Sequence, residues 1–476
     1  MITLDSYANI GQSTTEDVIL LKKALEAGYT PGTGTSSDNL KVQSLEKTLK
    51  NVQYKEQALQ FWQTIPKLPA FSTVEEYNQV LDYGAAGGSF FAEGDRPENS
   101  DGTFARKSEF VKYLGTTKQV THAAKLVSTN AGDMEMLAAM QGTRKILKDA
   151  DLALNSGNAS VVPEEFNGIP TLHRNSFASY ALWHTSDNVR DLRGRRLVEN
   201  DLEDGSEIIV NNHGIGNLFL TSSPVLSGFT KQYRESKFIQ PGTDAVNNAV
   251  MGQRVRAFQS QYEQVEMRYD IFMRQTPRYT TSNPTSTKAP AVVVAGAATP
   301  VTDTLNQFLT DYDGDYFFAV AAKNKYGESA LTAISATLVS VAATESVDLT
   351  FTPGVGAYAA TGFVIYRSEL NPATTLATTK MYPVFEVSAT ERLAGFDGGA
   401  ANAVRDRNRI IANTFTGVLI EHDQEVWAFK QLAPLMKMDL ARMGTADQFM
   451  VLLYGTPQLY MPMKMVWYKN IGTRTP

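Results

Sequence analysis

Five histidines could in principle do acid–base or metal chemistry: His122, His173, His184, His213 and His422. None lies in an H-E-x-x-H or similar paired spacing, so each reads as a structural or exposed side chain. Gly214-Ile215-Gly216-Asn217 supplies the first two glycines of a dinucleotide loop but not the third. No βαβ unit surrounds it, and a turn is expected there. Asp311-Tyr312-Asp313-Gly314-Asp315 begins like a calcium loop. Tyr316 then stands where the loop needs glycine, and Ala322 where it needs the terminal glutamate. A β-turn leading into a strand is the expectation, with at most a weak opportunistic cation site. The chain contains no G-x-S-x-G elbow and no G-x-x-x-x-G-K-[ST] loop. There are 50 acidic residues, so candidate carboxylate pairs abound, but no motif isolates one. No catalytic residue, cofactor or metal is expected.

Composition narrows the class further. The chain has 476 residues, enough for two or three domains, and is 43% hydrophobic and 20% charged. Those proportions suit a protein that buries a real core. The formal net charge is -6, whereas proteins that grip nucleic acid by its phosphates carry a basic excess. Sequence-specific DNA binding is therefore not expected. There are no cysteines, which excludes disulfides, thiolate catalysis and cysteine-held zinc. No apolar run reaches 18 residues, and MITLDSYANIGQ lacks a secretory n-region and h-region.

The elements that would position any site follow in order. Residues 1–50 read as an arm. Thr15-Glu16-Asp17 caps a short helix with Val18, Leu21 and Leu25 on one face, stopped by Gly28. TPGTGTSS (Thr30 to Ser37) is a break, and a second helix carries Leu40, Leu45 and Leu49. Two strand-rich segments, 72–82 and 108–127, flank the polar stretch Gly84 to Arg106, the tip of a long hairpin. Asp133 is placed to cap a helix running to about Asn155, with Gly157 just past its end. Met134, Leu137, Ala138, Ile146, Ala150 and Leu154 recur there at helical spacing, giving a rod of roughly 35 Å. Farther on, NDLEDG (Asn200 to Gly205) reads as a turn or very short helix. A strand is expected at Leu218 to Leu220, then a helix opened by Ser223-Pro224.

At Gln275 the composition changes. Thr276 to Pro290 is a Pro/Thr/Ser linker. Short strands follow at Ala291–Val294, Tyr316–Ala322, Leu331–Ala342, Val347–Phe351, Gly362–Arg367 and Val384–Val387. Their spacing argues a small β-sandwich over 288–401. After Asn402, VRDRNRI returns the chain to the preceding domain. The apolar stripe Met461 to Lys469 reads as a core strand, with some side chains available to an interface.

Several phrases, taken together, carry a resemblance. They are PAFSTVEEYNQVLDYG (Pro69 to Gly84), FVKYLGTTKQVTHAAKLV (Phe110 to Val127), EEFNGIP (Glu164 to Pro170), LAPLMKMDLARMG (Leu432 to Gly444) and QFMVLLYGTPQLYMPMKMVWYKNIG (Gln448 to Gly472). In this order they resemble the major capsid proteins of tailed bacteriophages, the Hong Kong 97-type fold. The similarity is strongest to the large-myophage branch with an inserted immunoglobulin-like domain. It covers about residues 36–287 and 402–476.

The resemblance implies an α+β fold made of an N-terminal arm (1–50) and a peripheral domain (51–189). The latter would hold an extended loop at about 84–110 and a spine helix at about 133–155. An axial domain would come in two parts, 190–287 and 402–476, interrupted by an immunoglobulin/fibronectin-III-like β-sandwich (288–401). The function implied is structural. Copies would associate as hexamers and pentamers into an icosahedral head around double-stranded DNA, assembled in the host cytoplasm and located in the virion. Portal, scaffolding and decoration proteins are the implied partners, and no membrane is involved.

Inter-subunit contacts would come from the hairpin: Phe90, Phe91, Arg96, Glu98, Asp101, Arg106, Lys107 and Glu109. Relatives that cross-link use a lysine and an asparagine. Lys107 and Asn99 are of the right types, but no cross-link is expected because nothing sets them opposite a partner. No prohead-protease cleavage site is readable. The rival readings are a tail or baseplate protein, or an adhesin, carrying an immunoglobulin-like module. They predict β-rich flanks in place of the long helix.

Overall fold

Two-residue alternation builds the larger sheet. In Leu218–Thr221, Leu218 and Leu220 join one buried cluster and Phe219 another. The same division separates Val418 and Ile420 from Leu419, and Met465 and Trp467 from Val466 and Tyr468. A sheet so apolar on both faces must be covered on both. Its six strands run in the order Val189–Asp191, Met465–Ile471, Phe415–Ile420, Leu218–Thr221, Gln264–Tyr269, Ala257–Gln259. The structure is a computed structural model that describes residues 59–84, 90–96, 99–126, 133–176, 188–236, 257–373, 375–442 and 444–472. The expected arm helices, residues 1–50, lie outside the described residues.

Helices Glu199–Asn211 and Ser223–Ser236 cover one face through Leu202, Ile209, Val225 and Phe229. The first helix, 13 residues long, corrects the expectation of a turn or very short helix at Asn200 to Gly205. Asp201 stabilises its start: the carboxylate accepts from Val198 N at 3.0 Å and pairs with Arg195 at 2.5 Å. Gly205, poor in a helix, stands there because a Cβ would collide with Tyr468 Oη.

A four-stranded sheet has the order Lys67–Pro69, Trp427–Asp439, Ala446–Leu459, Lys112–Thr121. The last sixty residues thus supply strands to both sheets. Helix Met134–Ser156 lies on the smaller one and buries Ile146, Ala150 and Leu154. One cluster joins the two sheets: Trp427, Phe429 and Leu453 pack with Leu218, Val418 and Trp467. Edge-to-face ring pairs add to it, Phe61 with Trp427 at 5.9 Å and Trp62 with Phe429 at 4.9 Å.

Residues 294–406 form further sheets. Val294–Thr302, Glu345–Thr352 and Ala403–Asp406 make one, antiparallel throughout. Phe318–Asn324, Gly362–Arg367 and Tyr382–Ser388 lead a second, with Gly327–Glu328 and Thr332–Ala333 at its margin, and Gly314–Tyr316 pairs with Val339–Val341 in a third. Phe318, Val320, Phe363 and Ile365 pack with Val347, Leu349 and Val404 in a single core. The expected strand Leu331–Ala342 is broken: Thr332–Ala333 and Val339–Val341 flank a turn closed by Ser335 Oγ and Thr337. The expected linker, Thr276 to Pro290, is anchored to its neighbours. Arg278 exchanges backbone hydrogen bonds with Met381 at 2.8 and 2.9 Å, and its guanidinium pairs with Glu328 at 2.7 Å. Composition read as a linker because no apolar period marks it; ion pairs and backbone bonds hold it instead.

VRDRNRI is a buried ionic joint. Arg405 takes Asp348, Arg407 takes Asp303 and Asp397, and Arg409 takes Asp397, all within 2.9 Å. Arg367 donates to Asp406 and Asn408 at 2.5 Å each, and to Ile410 O at 2.7 Å. Asn470 of the six-stranded sheet accepts from Ile411 N and donates to Arg409 O, at 2.8 and 2.9 Å. The joint thus ties residues 294–411 to the six-stranded sheet.

Candidate assembly surface

Strands Val74–Val80 and Phe104–Phe110 pair antiparallel, Val74 opposite Phe110 and Val80 opposite Phe104, and no third strand joins them among the described residues. A two-stranded ribbon is marginal in water on its own. Two features direct this one. A single residue, buried Val111, separates it from strand Lys112–Thr121 of the four-stranded sheet. Side chains on its other strand reach the body: Tyr77 Oη donates to Leu459 O at 3.2 Å, and Gln79 Nε2 donates to Tyr460 O. The Tyr77 and Tyr460 rings meet edge to face at 4.9 Å.

The loop between the strands is closed at its base. Leu81 N donates to Thr103 O at 2.8 Å, and Asp82 Oδ1 accepts from Gly84 N and Thr103 N. Hydrogen bonds, first that with the Thr103 side chain, hold the Asp82 carboxyl below its usual range. Gly84 and Gly94 have φ of 132° and 86°, conformations that favour glycine.

Beyond that base the ribbon and loop expose large apolar groups. Phe90 is 101% exposed, Tyr83 96%, Phe104 70% and Phe110 61%. Phe91, Leu81 and Val80 add to them. A monomer rarely leaves such a set in water unless another molecule covers it.

Of the sequence-predicted contact residues, Phe90, Phe91, Arg96, Asp101, Arg106 and Lys107 are exposed. Glu98 lies outside the described residues. Arg106 is engaged across the ribbon with Glu76 at 3.3 Å and Asn78 at 3.4 Å. Glu109 differs from the rest: it is half-buried against its own body, where burial raises its carboxyl pKa and Asn167 and Lys112 partly offset the rise. Sequence reasoning missed Tyr83, Phe104 and Phe110. Phe104 and Phe110 end one strand of the ribbon and Tyr83 lies in the bend that leaves the other, positions that the polar loop between them masked in the sequence.

His122, His213 and His422 are exposed, and His184 lies outside the described residues. His173 is fully buried, its Nε2 beside Met465 O at 3.2 Å, and burial lowers its pKa to about 4. Among the described residues, no group of three or more His, Cys, Asp or Glu is placed to hold a metal. No described helix is long and apolar enough to cross a membrane.

No family model matches the chain. Curated proteins do resemble it from end to end. The putative major capsid protein of Enterococcus phage phiEF24C is 25% identical over 478 residues, covering 96% of this chain and 95% of that protein. The major capsid protein of Staphylococcus phage K is 25% identical over 466 residues, with the same coverage. Among solved structures, the capsid of a native GTA particle has a TM-score of 0.47 at 9% identity, covering 92% of this chain and 99% of that one. That structural likeness is too distant to carry weight. Over 96% of its length the chain is thus similar in sequence to phage major capsid proteins, and its own fold is mixed α+β.

Proposed function

We propose that this chain is a shell-forming structural protein of a virus. More particularly, it is the major capsid protein of a tailed bacteriophage, of the Hong Kong 97 type. The similarity to curated capsid proteins over 96% of the chain carries the reading. The ribbon supports it, because self-association would cover the aromatic side chains that it exposes. Copies meet as hexamers and pentamers of an icosahedral head, assembled in the host cytoplasm, that encloses double-stranded DNA without reading its sequence. Portal, scaffolding and decoration proteins complete the particle.

The sheets of residues 294–406 act as the inserted immunoglobulin-like module of the large-myophage branch. The ribbon and its loop act as the extended loop that overlies a neighbour, and helix Met134–Ser156 as the spine beneath. Expansion of the shell shifts the loop against neighbouring copies as it matures.

Electron microscopy of the purified chain, alone and with its scaffolding partner, tests the proposal. Closed shells, sheets or tubes with a hexagonal lattice are expected. Phe90→Ser with Phe91→Ser is expected to abolish them while leaving the urea midpoint of the subunit unchanged. Each ring moved from water into a contact contributes about 1.5–3 kcal/mol, repeated in every copy. A persistent monomer in the presence of the scaffolding partner would overturn the reading.

A further inference from the structure

Helix Gln60–Thr64, which follows residue 58, begins without a local cap: the side chain of Leu59 cannot accept a hydrogen bond. Two aspartates from distant parts of the chain do the work. Trp62 N donates to Asp151 Oδ1 at 2.7 Å, and Phe61 N donates to Asp270 Oδ2 at 3.1 Å. Asp151 belongs to helix Met134–Ser156, and Asp270 directly follows strand Gln264–Tyr269. Both are within 1% of complete burial.

The two carboxyls are not equivalent. Both oxygens of Asp270 accept backbone N–H groups, since Oδ1 takes Phe272 N at 2.7 Å. Asp151 uses one oxygen on Trp62, while its Oδ2 is buried with no donor. Phe61 N and Trp62 N are consecutive amides, so the two carboxyls that accept from them are neighbours in a site closed to water. Two ionised carboxylates there would be adjacent buried like charges, which one proton relieves. Basic groups on the packed elements are engaged elsewhere. Arg268 donates to Thr64 Oγ1 and pairs with Glu266, and Lys67 donates to the Trp62 and Ile65 carbonyls. Lys145 and Lys148 act on Asp149 of their own helix.

We propose that Asp151 and Asp270 form a one-proton latch, with the proton on Asp151 Oδ2, that clamps the start of helix Gln60–Thr64 to the core and opens in alkaline conditions. Burial first, and then the charge of Asp270, raise the Asp151 carboxyl above its usual range. The sign follows from linkage. A carboxyl whose pKa is raised when clamped favours the clamped state at low pH. That preference is lost as pH rises from the exposed value of about 4 toward the raised one. Loss of the proton leaves two adjacent buried anions, and opening the helix start lets water reach them.

Hydrogen exchange of the Phe61 and Trp62 amides in the full-length chain between pH 6 and 9 tests the latch. Rates are corrected for intrinsic exchange, and Leu453 N of the four-stranded sheet is the reference for global opening. In the wild type the opening constant of both amides should climb by up to about tenfold per pH unit, flattening once the clamped state has lost its proton. Asp151→Asn keeps the acceptor for Trp62 and places an N–H donor toward Asp270. Its opening constant should be flat with pH and lower than wild type at pH 8. Asp270→Asn sets an amide N–H against a backbone N–H and should lose protection at every pH. An Asp151→Asn profile as steep as wild type, or Asp270→Asn protected as well as Asp151→Asn, would overturn the assignment.

Discussion

Replacing Arg367 by methionine tests the ionic joint in a way that ordinary core truncation does not. Arg367 is 1% exposed and makes three charge-assisted hydrogen bonds, to Asp406, Asn408 and Ile410 O. Its guanidinium also lies over the Phe308 and Tyr316 rings at 5.1 and 5.5 Å. Methionine keeps the stem's packing and removes the charge. Asp406 is left with the Asn408 N–H at 2.8 Å and no cation, a carboxylate 1% exposed. Removing one member of a buried pair costs about 3–5 kcal/mol, most of it from the stranded charge. Asp406→Asn should therefore cost far less in the Arg367→Met background than alone, with a coupling of about 1–3 kcal/mol. Urea-dependent hydrogen exchange at Val320 N and Ile365 N reads the stability of these sheets directly. A loss below about 1 kcal/mol for Arg367→Met, or costs that simply add in the double variant, would refute the claim that the joint is dry and coupled.

Two further outcomes follow from local geometry. Gly205→Ala should destabilise by about 1–3 kcal/mol in urea melts, because the new methyl meets Tyr468 Oη and displaces its 2.8 Å hydrogen bond to Asp201 O. Gly228→Ala, on the next helix with nothing near its Cβ position, is the control. At the start of helix Met134–Ser156, hydrogen bonds from Lys125 and Lys437 lower the Glu135 carboxyl to about 2. A depressed carboxyl contributes stability above its unfolded value of 4.5 that is lost as pH falls toward 2. Exchange of the amides in that first helical turn should quicken across this window, and Glu135→Gln should remove the dependence.

Periodicity carried the parts of the fold that pack by shape. Ile146, Ala150 and Leu154 recur at helical spacing and are buried, and the helix opened by Ser223-Pro224 was legible from proline at its first turn. What escaped was decided by partners far along the chain. Asp204 and Gly205 discourage a helix until Arg190 and Tyr468 are in place. VRDRNRI looks solvated as a string, and only Asp303, Asp348 and Asp397 make it interior. The stripe from Met461 divides: Met465–Ile471 is wholly buried, whereas Met461 and Met463 are 39% and 49% exposed. At the candidate surface, the tip residues were legible as a polar interruption between strands. The turning inward of Glu109 was not, because Asn167 lies on a separate loop.

The strands of the last sixty residues impose a timetable on synthesis. Lys112–Thr121 and the long helix emerge early, but their sheet partner Ala446–Leu459 comes near the end; Lys125 and its ion-pair partner Asp447 are 322 residues apart. At about 5–20 residues per second, a ribosome needs roughly 15–65 seconds to cover that interval. During it the apolar face of the helix has no native sheet to cover it, and the six-stranded sheet also lacks two of its central strands. Neither sheet can close until the strands of residues 415–471 have been made. A half-made chain is therefore a natural client for a folding chaperone.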